Sequence, residues 1–177
     1  MTEKLYVNVW IGNLGKYNEG ELVGEWFTLP CDMEEVSKAI GLNEEYEEYQ
    51  INDFETNITG LEIHHYENIG NLNTMMEELE ELNEDQQLAY MGWLELNPTI
   101  KHSDCIEVAR NEEYSILRET KNMFDVAWEK VNEEGYFGYD LPSELLNHID
   151  YNSLGETLDS CGTYIFLEND ICIEFFH

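Results

Sequence analysis

Positive charge is what this sequence has least of. Lysine and arginine number 8 against 39 aspartates and glutamates, for a formal net charge of −31 over 177 residues. None of the eight lies between Ala39 and Ile100, and none follows Lys130. Such a surface cannot hold a phosphate backbone by the usual route, in which Lys and Arg displace counterions, so no nucleic acid is expected as a partner. It also repels anionic lipid headgroups. No stretch approaches the roughly 18 apolar residues of a membrane span, and the N-terminus carries no long apolar segment. The sequence therefore reads as a soluble, cytoplasmic protein with no membrane partner. Four cysteines, Cys31, Cys105, Cys161 and Cys172, form no C-x-x-C pair. That spacing speaks against a disulfide scaffold and for single buried thiols in a reducing compartment.

Catalytic and cofactor signatures are equally sparse. The glycine-rich stretch from Gly12 to Gly24 fits neither G-x-G-x-x-G nor the P-loop, because Lys16 is followed by Tyr17. Glu19 and Glu21 within it would repel phosphate, so it reads as a turn-rich surface loop. His64 and His65 adjoin Glu62 and Glu67, but neighbouring residues of a strand point to opposite faces and rarely share a metal. His102-Ser103-Asp104-Cys105 has ligand types without a second half at a diagnostic spacing. No EF-hand loop and no G-x-S-x-G motif occurs. Carboxylate pairs of the glycosidase kind arise by chance among 39 acids. The expectation is a protein that is not an enzyme and uses no cofactor and no metal.

What the sequence does have is material for a core: 42% hydrophobic and 12% aromatic residues. That separates it from disordered acidic chains, which pair high charge with low hydrophobicity. Leu5, Val7, Val9 and Ile11 alternate with Tyr6, Asn8 and Trp10, the period of a strand. Leu22 to Leu29 predicts a second strand. Asp32 caps a short helix with Val36, Ala39 and Ile40 on one face, closed by Gly41, and Tyr46 to Phe54 predicts a third strand. Ile69, Leu72, Met76 and Leu79 mark one middle helix; Leu88 to Leu96 marks a second. Beyond Ser103 come a strand at Tyr114–Leu117, a helix at Met123–Val131 ended by Gly135, and a helix starting at Pro142. A terminal hairpin is expected about Glu168-Asn169-Asp170. The class is α+β, with a ββαβ unit over 1–60, a helical middle over 61–103 and a mixed part over 104–177.

The acids are patterned. Asn43 to Glu55 interleaves carboxylates with Tyr46, Tyr49 and Phe54. Glu77 with Glu81, and Glu80 with Glu84, are like-charge pairs at i,i+4, each costing a few tenths of a kcal/mol, with no positive residue nearby in the sequence to relieve them. Glutamate (30) outnumbers the compact aspartate (9), which weakens salt adaptation as an explanation. B-DNA carries one negative charge per about 1.7 Å of axis, so the net charge equals that of roughly 15 base pairs, and a dimer's roughly 30. Carboxylates on helices and strands can be spaced on that scale. The natural partners of such a surface are basic: a cationic groove, a polybasic tail or metal cations. A general acidic binder or chaperone of basic proteins is the alternative, and a small carboxylate-pair hydrolase a third reading.

The block Asn13-Leu14-Gly15-Lys16-Tyr17-Asn18-Glu19-Gly20-Glu21-Leu22-Val23-Gly24, followed by Trp26-Phe27, resembles the ArdA antirestriction family. Ile40 to Tyr49 and Asn52-Asp53-Phe54-Glu55 continue the likeness, and Ile149-Asp150-Tyr151 and Gly162-Thr163-Tyr164 renew it near the end. The resemblance implies an elongated, curved DNA mimic of three small domains, carried on mobile genetic elements such as conjugative transposons. It implies a homodimer joined through the last domain, loosely at the strand Tyr114 to Thr120 (Tyr114, Ile116, Arg118, Thr120). The implied partner is the DNA-binding methyltransferase core of a type I restriction-modification enzyme. The implied phosphate mimics are Glu44, Glu45, Glu47, Glu48, Asp53, Glu55, Glu77, Glu78, Glu80, Glu81, Glu84 and Asp85, then Glu133, Glu134, Asp140, Glu144 and Asp150. One departure stands at Leu154-Gly155-Glu156-Thr157-Leu158, where relatives tend to carry Tyr-Gly-Arg-Asp-Leu.

Overall fold

The structure, a computed structural model, describes residues 4–133, 135 and 139–176. Val7, Val9 and Ile11 are fully buried while Asn8 and Trp10 face outward, and this alternation forms β1 (Val7–Asn13). β1 pairs antiparallel with β2 (Gly24–Thr28) on one side and β3 (Tyr49–Thr56) on the other. The expected loop after β1 contains a five-residue helix, α1 (Leu14–Asn18). Its origin is Asn13, which is 1% exposed, accepts from the Lys16 amide and donates its own amide to Ile40 O. α2 (Met33–Ile40) follows its predicted caps: Asp32 accepts from Glu34 N, and Gly41 ends the helix at φ 71°. Only Gly tolerates that conformation freely. Val36 and Ile40 bury its inner face. This is the predicted ββαβ order, with β3 starting three residues later than Tyr46.

Two helices follow, as the apolar spacing predicts. α3 (Ile69–Glu81) buries Ile69, Leu72, Met75, Met76 and Leu79. α4 (Glu84–Leu96) starts at a capping box between Asn83 and Gln86. A third helix, α5 (His102–Asn111), was not expected; it buries Cys105, Ile106 and Ala109 and packs on α4.

The last part holds β4 (Tyr114–Arg118), α6 (Met123–Asn132), α7 (Ser143–Leu146), α8 (Tyr151–Cys161), β5 (Thr163–Leu167) and β6 (Ile171–Phe175). Its sheet is antiparallel in the order β4-β6-β5, with Asn169 and Asp170 both at φ 61° in the hairpin turn. One face carries Ile116, Ile165, Ile173 and Phe175 into the main core, which runs on through α4 and α3 to β1. The other carries Leu117 and Cys172 against Val126 of α6. The predicted helix after Pro142 is the single turn α7, with Pro142 as its cap residue. α8 lies beside α6, so closely that a Cβ on Gly155 would sit 2.5 Å from Met123 O. Among the described residues no helix is long and apolar enough to cross a membrane. The chain is α+β.

Candidate functional site

The acidic block at 43–56 is built by its aromatics. Asn43 Oδ1 accepts from the amides of Glu45 and Tyr46, and Asn43 N donates to Tyr46 O. This closes a local turn of the Asx kind. The Tyr46 hydroxyl accepts from Lys16 Nζ at 3.1 Å and donates to the Glu19 carboxylate at 2.9 Å. Lys16 also lies 4.3 Å from the Tyr46 ring centroid and 3.6 Å from Glu21. The Tyr46 bond and then the Glu19 and Glu21 carboxylates raise the Lys16 pKa against a lesser effect of burial. So the lysine of the glycine-rich stretch is spent on holding the acidic loop. The Tyr49 hydroxyl accepts from Ile69 N and ties the start of β3 to the start of α3. With Tyr46 and Tyr49 turned inward, Glu44, Glu45, Glu47 and Glu48 are exposed, as are Asp53 and Glu55 on the outer face of β3. Among the described residues, no ion pair engages any of these six.

The α3–α4 junction is different. Glu77, Glu80 and Glu81 are exposed and Glu78 is half-buried. Acid in the last turn opposes the helix dipole, at about 0.3–1 kcal/mol per charge, and α3 has no basic residue there. Relief comes from far away, which corrects the expectation that these penalties go unrelieved. Lys4 pairs with Glu80 at 2.8 Å, Arg110 with Glu81 at 3.2 Å, and Arg118 with Asp85 at 2.6 Å and Glu84 at 3.8 Å. Helix α5 and strand β4 carry the two arginines across to α3 and α4. Glu77 and Glu78 have no cation partner among the described residues.

In the last part, Glu133, Asp140, Glu144 and Asp150 are exposed. Asp150 caps α8 by accepting from Ser153 N, and Glu133 ends α6. Glu134 lies outside the described residues. Sequence reading missed Glu174, 9% exposed, which binds Lys130 Nζ through one oxygen and the Tyr164 hydroxyl at 2.9 Å through the other. Its apolar surroundings in Ile-Cys-Ile-Glu-Phe-Phe were the available signal, since buried charge requires a partner. Of the strand Tyr114 to Thr120, β4 is a sheet edge. Phe176 N donates to Glu113 O, so odd-numbered residues of β4 bond to β6. By antiparallel alternation, the backbone groups of Tyr114, Ile116 and Arg118 point to the open side. Thr120 is buried and its amide donates to Asp170 O.

The remaining sequence candidates do not converge. His64 and His65 lie at a turn rather than in a strand, and His65 Nδ1 sits 2.7 Å from Ile51 O. His102 opens α5, with Nδ1 2.8 Å from the hydroxyl of the fully buried Tyr90 and Nε2 4.0 Å from Glu67. Burial lowers its pKa, and Glu67 partly opposes this. Among the described residues no three ligand side chains are placed to hold a metal. All four thiols are free, but Cys161 is exposed and Cys31 half-buried, against the expectation of burial, because helix α8 presents Cys161 at its solvent end. Cys105 and Cys172 are buried, and burial pushes both thiols up to about 12.

The family model for antirestriction protein (ArdA) matches residues 9–172. No curated protein sequence matches the chain.

Proposed function

The chain belongs to the ArdA antirestriction family, and from that premise we propose that it is an acidic mimic of B-DNA. It occupies, by competition, the DNA-binding site of a type I restriction-modification enzyme. The observation that carries this reading is the anchored segment 43–56. Its tyrosines and Asn43 fix the backbone, and six carboxylates stand in solvent with no cation partner among the described residues. The backbone that carries them is thus already ordered when it meets a Lys/Arg-lined channel, and the opposite fields steer the encounter. Among the described residues, six of the eight basic side chains are occupied in ion pairs, so little of the positive charge opposes that field.

The inhibitor performs no chemistry; it works by displacement in the cytoplasm, protecting mobile DNA as it enters. Glu77, Glu78, Glu133, Glu134, Asp140, Glu144 and Asp150 extend the mimic along the chain, and Glu80, Glu81, Glu84 and Asp85 contribute less. We place the parts 1–60, 61–103 and 104–177 in sequence along an elongated, curved body. Two copies join by antiparallel pairing of the open β4 edges, through the backbones of Tyr114, Ile116 and Arg118. The Arg118 side chain stays with Asp85.

Transfer of unmodified DNA into cells that carry a type I enzyme is the test. Expression of this protein restores transfer, and the variant with Glu44, Glu45, Glu47 and Glu48 changed to Gln does not. Undiminished cleavage in the presence of the folded protein would overturn the proposal. Equal affinity for polylysine and for the methyltransferase core would favour general binding of basic proteins instead.

A further inference from the structure

The outer face of the first sheet holds a feature that phosphate mimicry does not require. The register sets Trp26, Trp10 and Asp53 in one row across β2, β1 and β3, and Thr28, Asn8 and Glu55 in the next. Trp10 lies down along the sheet. A Cβ on Gly24 would sit 2.3 Å from its Cη2, and one on Gly12 2.7 Å from its Cζ3. Both glycines therefore clear a floor for the indole. Trp26 is 43% exposed beside it, and a depression of about 260 Å³ opens between Trp26 and Glu55. Adjacent strands are about 4.8 Å apart, so Trp26 on β2 and the carboxylates on β3 stand about 10 Å apart across β1, and the depression reaches from Trp26 over Asn8 to Glu55. No cation pairs with Asp53 or Glu55 among the described residues.

We infer that this face is a seat for an arginine side chain of the protein partner. The inference rests on the mimic reading and names a contact within it. A guanidinium is planar: it stacks on an indole and presents its N–H fork to a carboxylate at its edge, whereas an ammonium offers only a hydrated point charge. Glu55, which lines the depression with Trp26, receives the fork; Trp26 receives the plane, Trp10 backs the seat, and Asp53 adds its charge from the neighbouring row. Charge alone gives binding that salt weakens steeply. Stacking adds a component that salt leaves in place, and it fixes the register of the inhibitor in the channel.

The test is titration of the methyltransferase core of a type I enzyme with wild type, Trp26→Ala and Asp53→Asn, at about 50 and about 200 mM salt. Circular dichroism first confirms that each variant is folded. Trp26→Ala weakens binding by about three- to thirty-fold, by the same factor at both salt concentrations, and Trp26→Phe recovers part of the loss. Asp53→Asn loses more at low salt than at high. A Trp26→Ala protein that binds like wild type at both concentrations overturns the seat alone. A wild-type protein that does not bind the core overturns both the seat and the mimic reading.

Discussion

Two acidic regions of similar composition are built for different ends. In the segment 43–56 the carboxylates are exposed and the aromatics between them do the holding. At the α3–α4 junction the carboxylates also face solvent, yet Lys4, Arg110 and Arg118 reach them from other parts of the chain. A count of acids therefore overstates the negative field at the junction and describes it fairly at β3. The lesson is that exposure and availability are separate properties. A carboxylate in an ion pair, even a weak exposed one, presents a dipole to a partner rather than a charge.

The largest expected effect follows from breaking the first region. Changing Glu44, Glu45, Glu47, Glu48, Asp53 and Glu55 to their amides lowers affinity for the methyltransferase core on the order of a hundredfold or more, at roughly 0.5–1 kcal/mol per exposed charge. Thermal stability is unchanged or higher, because like-charge repulsion falls. Calorimetric titration beside a melting curve reads both.

Next comes the buried counterpart of the paired region. Glu174→Gln removes the carboxylate that Lys130 Nζ and the Tyr164 hydroxyl both bind. Losing a charged hydrogen-bond acceptor in a largely buried site costs about 1.5–3 kcal/mol. The midpoint of urea unfolding falls, while the folded fraction binds as wild type does. Gly155→Ala acts in the same part of the molecule by steric means, forcing α8 from α6 at about 1–3 kcal/mol; denaturant unfolding measures it.

A smaller effect sharpens the comparison directly. Arg110→Gln frees Glu81, converting a paired acid into an available one. Stability changes by less than about 1 kcal/mol, and affinity for the core rises a few-fold rather than falling. Weaker binding by this variant would show that the junction's arginine, and not its acids, faces the partner.

The smallest effect is on acid stability. Burial holds the His102 pKa below its unfolded value of about 6.5. The unfolded chain takes the proton first, so stability is full above about pH 6.5 and declines as pH falls through the lowered folded value. His102→Asn flattens the unfolding midpoint between pH 6.5 and 5.

Much of this fold was legible because local and tertiary signals agree. Helix α2 carried its own start and stop in Asp32 and Gly41, and β1 announced its faces by alternation. The terminal hairpin was marked by Asn169-Asp170 between apolar runs. Three helices were hidden for physical reasons. α1 depends on Asn13, whose side chain is satisfied by Ile40 O from 27 residues away. α5 is short, and its apolar stripe is completed only by α4. α8 has a glycine at its centre, which reads against a helix until α6 is seen to lie against it. The site was half legible. The carboxylates and the interleaved tyrosines were plain, but not that the tyrosines are anchors. The ion pairs were invisible, because Arg110 reaches Glu81 across 29 residues and Arg118 reaches Asp85 across 33.

The central claim is that these carboxylates take the place of DNA phosphates in a single shared site. Displacement of labelled duplex from the core of a type I restriction-modification enzyme, followed by anisotropy across a salt series, tests it most directly. The account predicts complete displacement at stoichiometric inhibitor, with no ternary complex and a competition constant that weakens steeply with salt. A stable complex holding inhibitor and duplex together, or displacement indifferent to salt, would contradict it.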